Sequence, residues 1–90
     1  MSKFPLGRTL ATPGALAVLQ ESGQSPAFFL DRHRQGDWGI VSADDRQAND
    51  EALVGGERLL SAYRTRKGER IWIITEADRS ATTILRPDEY

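Results

Sequence analysis

Hydrophobic residues recur at helical spacing in the first half of the chain and at alternate positions in the second half. Two short helical patterns are each opened by a capping hydroxyl and a proline, at Thr12–Pro13 and Ser25–Pro26, and each is closed by a glycine. A third helix is predicted from Ser42 to the glycine pair at 55–56, with acidic residues in its first turn. The pattern therefore predicts three consecutive helices.

Period-two alternation begins at Leu59. It predicts strands over 59–66, 70–76 and 81–86, with turns at 67–68 and 77–79, and residues 6–11 form a weaker strand before the helices. The expected fold is a single α+β domain over 1–90, in the order β-α-α-α-β-β-β. Its helical part covers about 12–56, and about 57–86 form an antiparallel meander with the helices packed on one face.

The strand that begins at Arg70 is too apolar for a strand covered on one side only. Ile71 and Ile73 share one face, and Trp72 and Ile74 share the other. One interpretation is a central strand whose second face is covered by the first strand or by the C-terminal residues. The other is that Trp72 and Ile74 belong to an exposed apolar patch that binds a partner.

Charge is unevenly distributed along a chain whose net charge is −1. Segment 37–57 carries six acidic residues against one arginine, among them Asp37, Asp44 and Asp45. An acidic pole of this kind favours steering of a partner. Trp38 stands between two glycines at the start of this segment, and it is interpreted either as a hydrophobic plug or as a displayed contact residue.

Composition excludes several classes of site. The chain has no cysteine and a single histidine, His33, so thiolate metal sites and multi-histidine metal sites are excluded and no cofactor is expected. His33 is interpreted as a packing residue rather than a general base. The start of the chain lacks an apolar signal segment and no stretch is long enough to span a membrane, which predicts a cytoplasmic location.

Basic residues cluster at the first hairpin, next to Tyr63. Arg64, Arg66, Lys67 and Arg70 there form either a phosphate-binding stripe or a solvated hairpin that protects a sheet edge. At the second hairpin, Asp78 is predicted to accept turn hydrogen bonds and Arg79 to pair with Glu76 or Asp78. Neither hairpin matches a catalytic motif.

Several short motifs carry a resemblance to a known family: Phe29–His33, Gly36–Gly39, Leu59–Arg64, Ile71–Trp72, Thr75–Ser80 and Pro87–Tyr90. On these motifs the chain resembles short bacterial proteins carried on plasmids and integrated elements, often labelled plasmid-related proteins. The resemblance implies an accessory protein of mobile DNA. The element order is also similar to that of RelE-type messenger-RNA interferase toxins, which would make the basic hairpin residues, Arg86 and Tyr90 candidates for RNA binding.

Two functions follow as hypotheses. The first is a non-enzymatic protein-interaction module, a regulator or inhibitor encoded by a mobile element. It would bind another protein, or a second copy of itself, through segment 37–57 and the sheet face that bears Trp72. The alternative is an RNA-binding or RNA-cleaving RelE-like domain that uses the basic hairpin.

Overall fold

Helix caps and strand alternation set the observed elements. The computed structural model describes residues 2–90. Its elements are β1 (Arg8–Ala11), α1 (Pro13–Ser22), α2 (Pro26–Arg34), α3 (Ala43–Gly55), β2 (Leu59–Arg64), β3 (Arg70–Thr75), β4 (Ala81–Leu85) and a final 3-10 turn (Pro87–Glu89). No helix among these residues has the length and apolar character needed to cross a membrane.

Each of the three helices begins at a hydroxyl cap. The side chains of Thr12, Ser25 and Ser42 each accept a hydrogen bond from the backbone N–H three residues later. Gly23 and Gly56 close α1 and α3 in the left-handed conformation. The three predicted N-caps and the glycine ends of α1 and α3 are therefore observed, whereas α2 ends at Arg34 with Gln35 as its C-cap and Gly36 follows in the left-handed conformation.

The four strands form one mixed sheet in the order β1-β4-β3-β2. The C-terminal meander is antiparallel as predicted, whereas β1 joins β4 in parallel. A parallel pair needs a long crossover, and the three helices together with β2 and β3 supply it. β2 ends at Arg64, two residues before the predicted end, because Thr65 already bonds to Glu69 across a tight turn in which Gly68 has a φ of +88°.

The helices cover one face of the sheet, which we call the inner face. Its main cluster joins α1 and α2 to the sheet through Ala15, Val18, Leu19, Phe29, Tyr63, Ile71, Ile73 and Ile84. A second cluster forms where α3 and the 37–41 connector meet the N-terminal segment, through Phe4, Trp38, Ala52 and Leu59. Among residues 2–90, no α-helix lies over the opposite face of the sheet, the outer face.

Candidate functional site

Strand register places one apolar row across the outer face. Leu10, Thr83, Ile74 and Leu60 lie side by side on β1, β4, β3 and β2. A second row joins Leu85, Trp72 and Ala62 on the last three of these strands. Leu10 is 43% exposed and Trp72 is half-buried, so part of this apolar surface remains accessible.

The C-terminal residues cover the rest of that surface. The ring of Tyr90 meets Trp72 edge to face, with 5.8 Å between ring centroids. Its hydroxyl accepts a hydrogen bond from Arg58, whose guanidinium also lies 5.5 Å from the Tyr90 ring. Ile74 is only 6% exposed although no α-helix covers it. Both interpretations of the apolar strand are thus partly realised: Ile74 is buried in the central strand β3, between Thr83 and Leu60, and Trp72 keeps part of its surface exposed beside Tyr90.

The two strand arginines of the basic hairpin lie on the same face as Trp72. Arg64 and Arg70 are directly opposite each other in the β2–β3 register, two pairs beyond Ala62 and Trp72 and therefore on the same face. Both are exposed, and neither forms an ion pair within residues 2–90. Arg66 and Lys67 extend the positive charge into the turn. Like charges directly opposite one another destabilise a sheet, so this placement favours a negatively charged ligand.

The structure places Trp38 in the core, where it cannot be a displayed contact residue. Its side chain is 3% exposed and stacks on Phe4 with ring centroids 6.1 Å apart. It also meets the edge of His33, and its indole N–H donates to Asp50 at 3.0 Å. The interpretation of Trp38 as a plug that fixes the connector is the one that the structure supports.

The acidic segment contributes less free charge than its composition indicates. Asp37 forms an ion pair of 2.7 Å with Arg32, and the hydrogen bond from that guanidinium holds the pKa of Asp37 below its usual range. Asp44 and Asp45 are exposed in the first turn of α3, where they stabilise the helix N-terminus. α3 packs against β2, the strand that carries Ala62 of the Trp72 row.

A buried chain of polar side chains surrounds the single histidine. His33 Nδ1 lies 2.5 Å from Ser61 Oγ, and Nε2 lies 2.8 Å from Thr75 Oγ1. Thr75 Oγ1 lies 2.7 Å from Thr82 Oγ1, and Thr82 donates to the carbonyl oxygen of Leu6 at 2.7 Å. All four side chains are 0% exposed. The chain links α2, three strands and the N-terminal segment.

The backbone carbonyl of Leu6, at the end of this row of hydrogen-bonded side chains, fixes which group donates in each bond from Thr82 back to His33 Nε2. A carbonyl oxygen only accepts, so the Thr82 hydroxyl donates to Leu6 and must itself accept from Thr75. Thr75 then accepts from His33 Nε2–H, and Nδ1 accepts from the Ser61 hydroxyl. These bonds place a proton on Nε2, and since the pKa of His33 is about 4 the imidazole is neutral at pH 7 with Nδ1 unprotonated, so every member of the chain is satisfied.

The same burial prevents Ser61 and His33 from acting as a nucleophile and base on an outside substrate, because neither atom reaches the surface. Burial, helped by the positive charge of Arg79, lowers the pKa of His33 from 6.5 to about 4. The chain of hydroxyls and imidazole is thus a structural core of the fold.

Arg79 has a structural role that the sequence did not indicate. Instead of pairing with an acidic side chain, its guanidinium donates to the backbone carbonyls of Ala52 and Glu57, beyond its own turn, at 3.0 and 2.6 Å. It therefore ties the C-terminal end of α3 to the β3–β4 turn. Arg79 has a φ of +61°, an unusual conformation for a residue with a side chain. The predicted turn bond is present, from Ser80 N–H to Asp78.

Comparison of the chain with protein-family models, curated proteins and solved structures gave no match. Within residues 2–90 no three histidine or acidic side chains converge in a way that could hold a metal ion. Function is therefore inferred from the surface itself, and the outer face around Trp72 is the candidate site.

Proposed function

We propose that this chain is a non-enzymatic protein-interaction module that binds its partner through the outer face of the sheet. The observation that carries the proposal is the accessible Trp72 on a face that no α-helix covers. A partly exposed tryptophan on a rigid sheet provides a large contact area at little cost in side-chain entropy, which is typical of binding hot spots. A role as a regulator or inhibitor in mobile DNA agrees with the family resemblance.

The C-terminal residues indicate the chemistry that this face accepts. They place an aromatic ring against Trp72 and a hydroxyl on Arg58, while Asp88 lies 3.4 Å from Arg86. A partner segment that combines an aromatic residue with carboxylates would make the same contacts and would displace Tyr90, which is itself 67% exposed. Asp44 and Asp45 would act at a distance by steering a basic region of the partner.

Replacing Trp72 with alanine should abolish most of the binding. We expect a loss of about 2 kcal/mol or more, equivalent to about thirtyfold in affinity, because the largest apolar side chain of the face is removed. The measurement is affinity purification from the native host, followed by calorimetry with the recovered partner. Phe28→Ala is the matched control, since Phe28 is an aromatic side chain 52% exposed on α2, behind the sheet.

Both variants must first show wild-type circular dichroism and cooperative unfolding. Retention of the partner by folded Trp72→Ala would overturn the proposal. Tyr90→Ala adds a directional test, because it removes the competing ring from Trp72 and should strengthen partner binding.

A second candidate function is RNA binding, and the facing pair Arg64 and Arg70 favours it. These guanidiniums would contact phosphates while a base stacks on Trp72, which is how many proteins hold single strands. The overall charge of −1 and the acidic α3 depart from the strongly basic character of such proteins. Protein binding therefore remains the first proposal.

Arg64→Glu combined with Arg70→Glu tests the second candidate. If RNA is the ligand, fluorescence anisotropy should show binding to single-stranded RNA that weakens with salt. Loss of two phosphate contacts should reduce the slope of log K against log salt by about 1.4, at 0.7 per contact. Arg34→Glu with Arg46→Glu makes the same change in net charge on helices behind the sheet. Equal effects of the two double variants would reject a specific RNA site.

A further inference from the structure

The two edge strands of the sheet, β2 and β1, differ in whether other parts of the chain bond to their outward-facing backbone groups. On the β2 edge, Asn49 bonds both the N–H and the carbonyl of Leu60, at 3.1 and 2.7 Å. The connector bonds Ala62 in the same way, through the N–H of Ile40 and the carbonyl of Trp38. Beyond the strand, Gln24 accepts from the N–H of Arg66. The β2 edge is thus closed to further pairing at Leu60 and Ala62.

The β1 edge has no such cover. Arg8 and Thr12 donate their backbone N–H groups to β4, so the alternate residues Thr9 and Ala11 direct theirs away from the sheet. A shallow groove of about 200 Å³ lies beside them, lined by β1, Ile84, Pro26 and Leu30. An open edge next to an apolar groove is a template for another strand.

We propose that a second copy of this chain pairs with the β1 edge in the antiparallel direction, giving a continuous eight-stranded sheet with two-fold symmetry. The register follows from the outward groups. Thr9 faces the partner's Ala11, Ala11 faces the partner's Thr9, and these pairs exchange four backbone hydrogen bonds. Leu10 then meets the partner's Leu10 on the outer face, where each is 43% exposed in the single chain.

Charge complementarity supports this occupant. In the same register Arg8 lies opposite the partner's Thr12. Thr12 donates to the carboxylate of Glu89 at 2.6 Å, so each Arg8 would meet the partner's Glu89. Arg8 is exposed and forms no ion pair within residues 2–90, and Glu89 is also exposed. Because a two-fold axis relates the two copies, the contact between Arg8 and the partner's Glu89 would occur twice in the dimer.

The inner side of the junction leaves room for the pairing. Thr9 is exposed and Ala11 is only partly buried, so α2 does not extend over the edge of β1. Side chains of Thr9 and Ala11 from each copy would enter the groove beside Pro26 and Leu30 of the other. The two outer faces would lie on the same side of the joined sheet and would present two Trp72 sites to one partner. This inference stands independently of which ligand the outer face binds.

Sedimentation equilibrium over a hundredfold range of protein concentration tests the proposal. The wild-type chain should approach twice the mass of a single chain as concentration rises. Ala11→Pro removes an N–H that makes no bond within the chain, at an edge position where proline is tolerated, and should stay monomeric. Arg8→Glu should also be monomeric because it faces the partner's Glu89.

The charge-swapped variant Arg8→Glu with Glu89→Arg should recover the dimer, and thermal unfolding of each variant shows that the fold is kept. A wild-type chain that stays monomeric throughout the range would overturn the proposal. So would a dimer that persists in both Ala11→Pro and Arg8→Glu but dissociates in Trp72→Ala, because the outer face would then be the interface.

Discussion

Between pH 7 and pH 4 the free energy of unfolding should fall by about 3 kcal/mol on account of His33 alone. Its pKa in the folded chain is about 4, against 6.5 for an exposed histidine. Each unit of pKa difference corresponds to about 1.4 kcal/mol. The side chain is 0% exposed, so solvent does not weaken this linkage.

The fold loses stability in acid because the unfolded state binds the proton at His33 more readily than the folded state. Between the two pKa values the unfolded chain is protonated at His33 while the folded chain is not, so acid favours unfolding. The stabilisation is complete above pH 6.5 and is lost as the pH falls through 4. A charged His33 would also carry N–H donors on both nitrogens, whereas Nδ1 now accepts from Ser61. Protonation of Nδ1 therefore requires the hydrogen bond between Ser61 and His33 to reverse its direction, with Nδ1–H donating to the Ser61 oxygen.

Urea denaturation at a series of pH values measures the effect. The control is the triple variant His33→Leu, Ser61→Ala, Thr75→Val, which removes the titrating group together with the hydroxyls that depend on it. We expect it to lose the decline between pH 6.5 and pH 4. The carboxyls whose pKa values are lowered, Asp37, Asp78 and Glu89, are the same in both proteins, so any loss of their stabilisation as the pH approaches 4 cancels in the comparison.

His33→Leu alone leaves the Ser61 hydroxyl without its acceptor and Thr75 without its donor. We expect this single variant to cost about 2 to 4 kcal/mol at pH 7, more than the triple variant, because unpaired buried polar groups carry the full penalty of desolvation. If the wild-type chain and the triple variant showed the same pH dependence, another group would be responsible and the assignment to His33 would fail.

Local signals explain why the elements could be predicted. Thr12, Ser25 and Ser42 cap helices through bonds to residues only three positions away, and alternation reports directly on a strand. The pairing of β1 with β4 spans almost the whole chain, from Arg8 to Ala81. No local pattern specifies such a partner, so the mixed character of the sheet could not be predicted.

The environment of His33 also depends on long-range contacts that no local sequence pattern specifies. Ser61, Thr75 and Thr82 come from three different strands, and only the register brings them to the imidazole. One signal was nevertheless present: each of the three lies two residues along its strand from an apolar residue that faces the core, namely Leu59 and Tyr63, Ile73 and Ile84. A hydroxyl on the core side of a strand needs a buried partner, and His33 is the only histidine in the chain.

Trp38→Ala should destabilise the fold by about 3 to 5 kcal/mol, the cost of removing a large aromatic side chain from a packed core. Trp38 joins three parts of the chain, since it stacks on Phe4, meets the edge of His33 and bonds to Asp50 on α3. Its backbone carbonyl also accepts from Ala62 on β2. Loss of the ring opens a cavity at the centre of these contacts.

Because Trp38 is buried and Trp72 is partly exposed, their variants should differ in their effects on stability and on binding. Trp38→Phe keeps most of the packing and loses only the indole N–H to Asp50, so it should cost much less than Trp38→Ala in chemical denaturation. Trp72→Ala should cost less stability than Trp38→Ala because Trp72 is only partly buried, yet it should cost more in binding. If Trp38→Ala were the more stable of the two variants, the assignment of Trp38 to the packed core would be wrong.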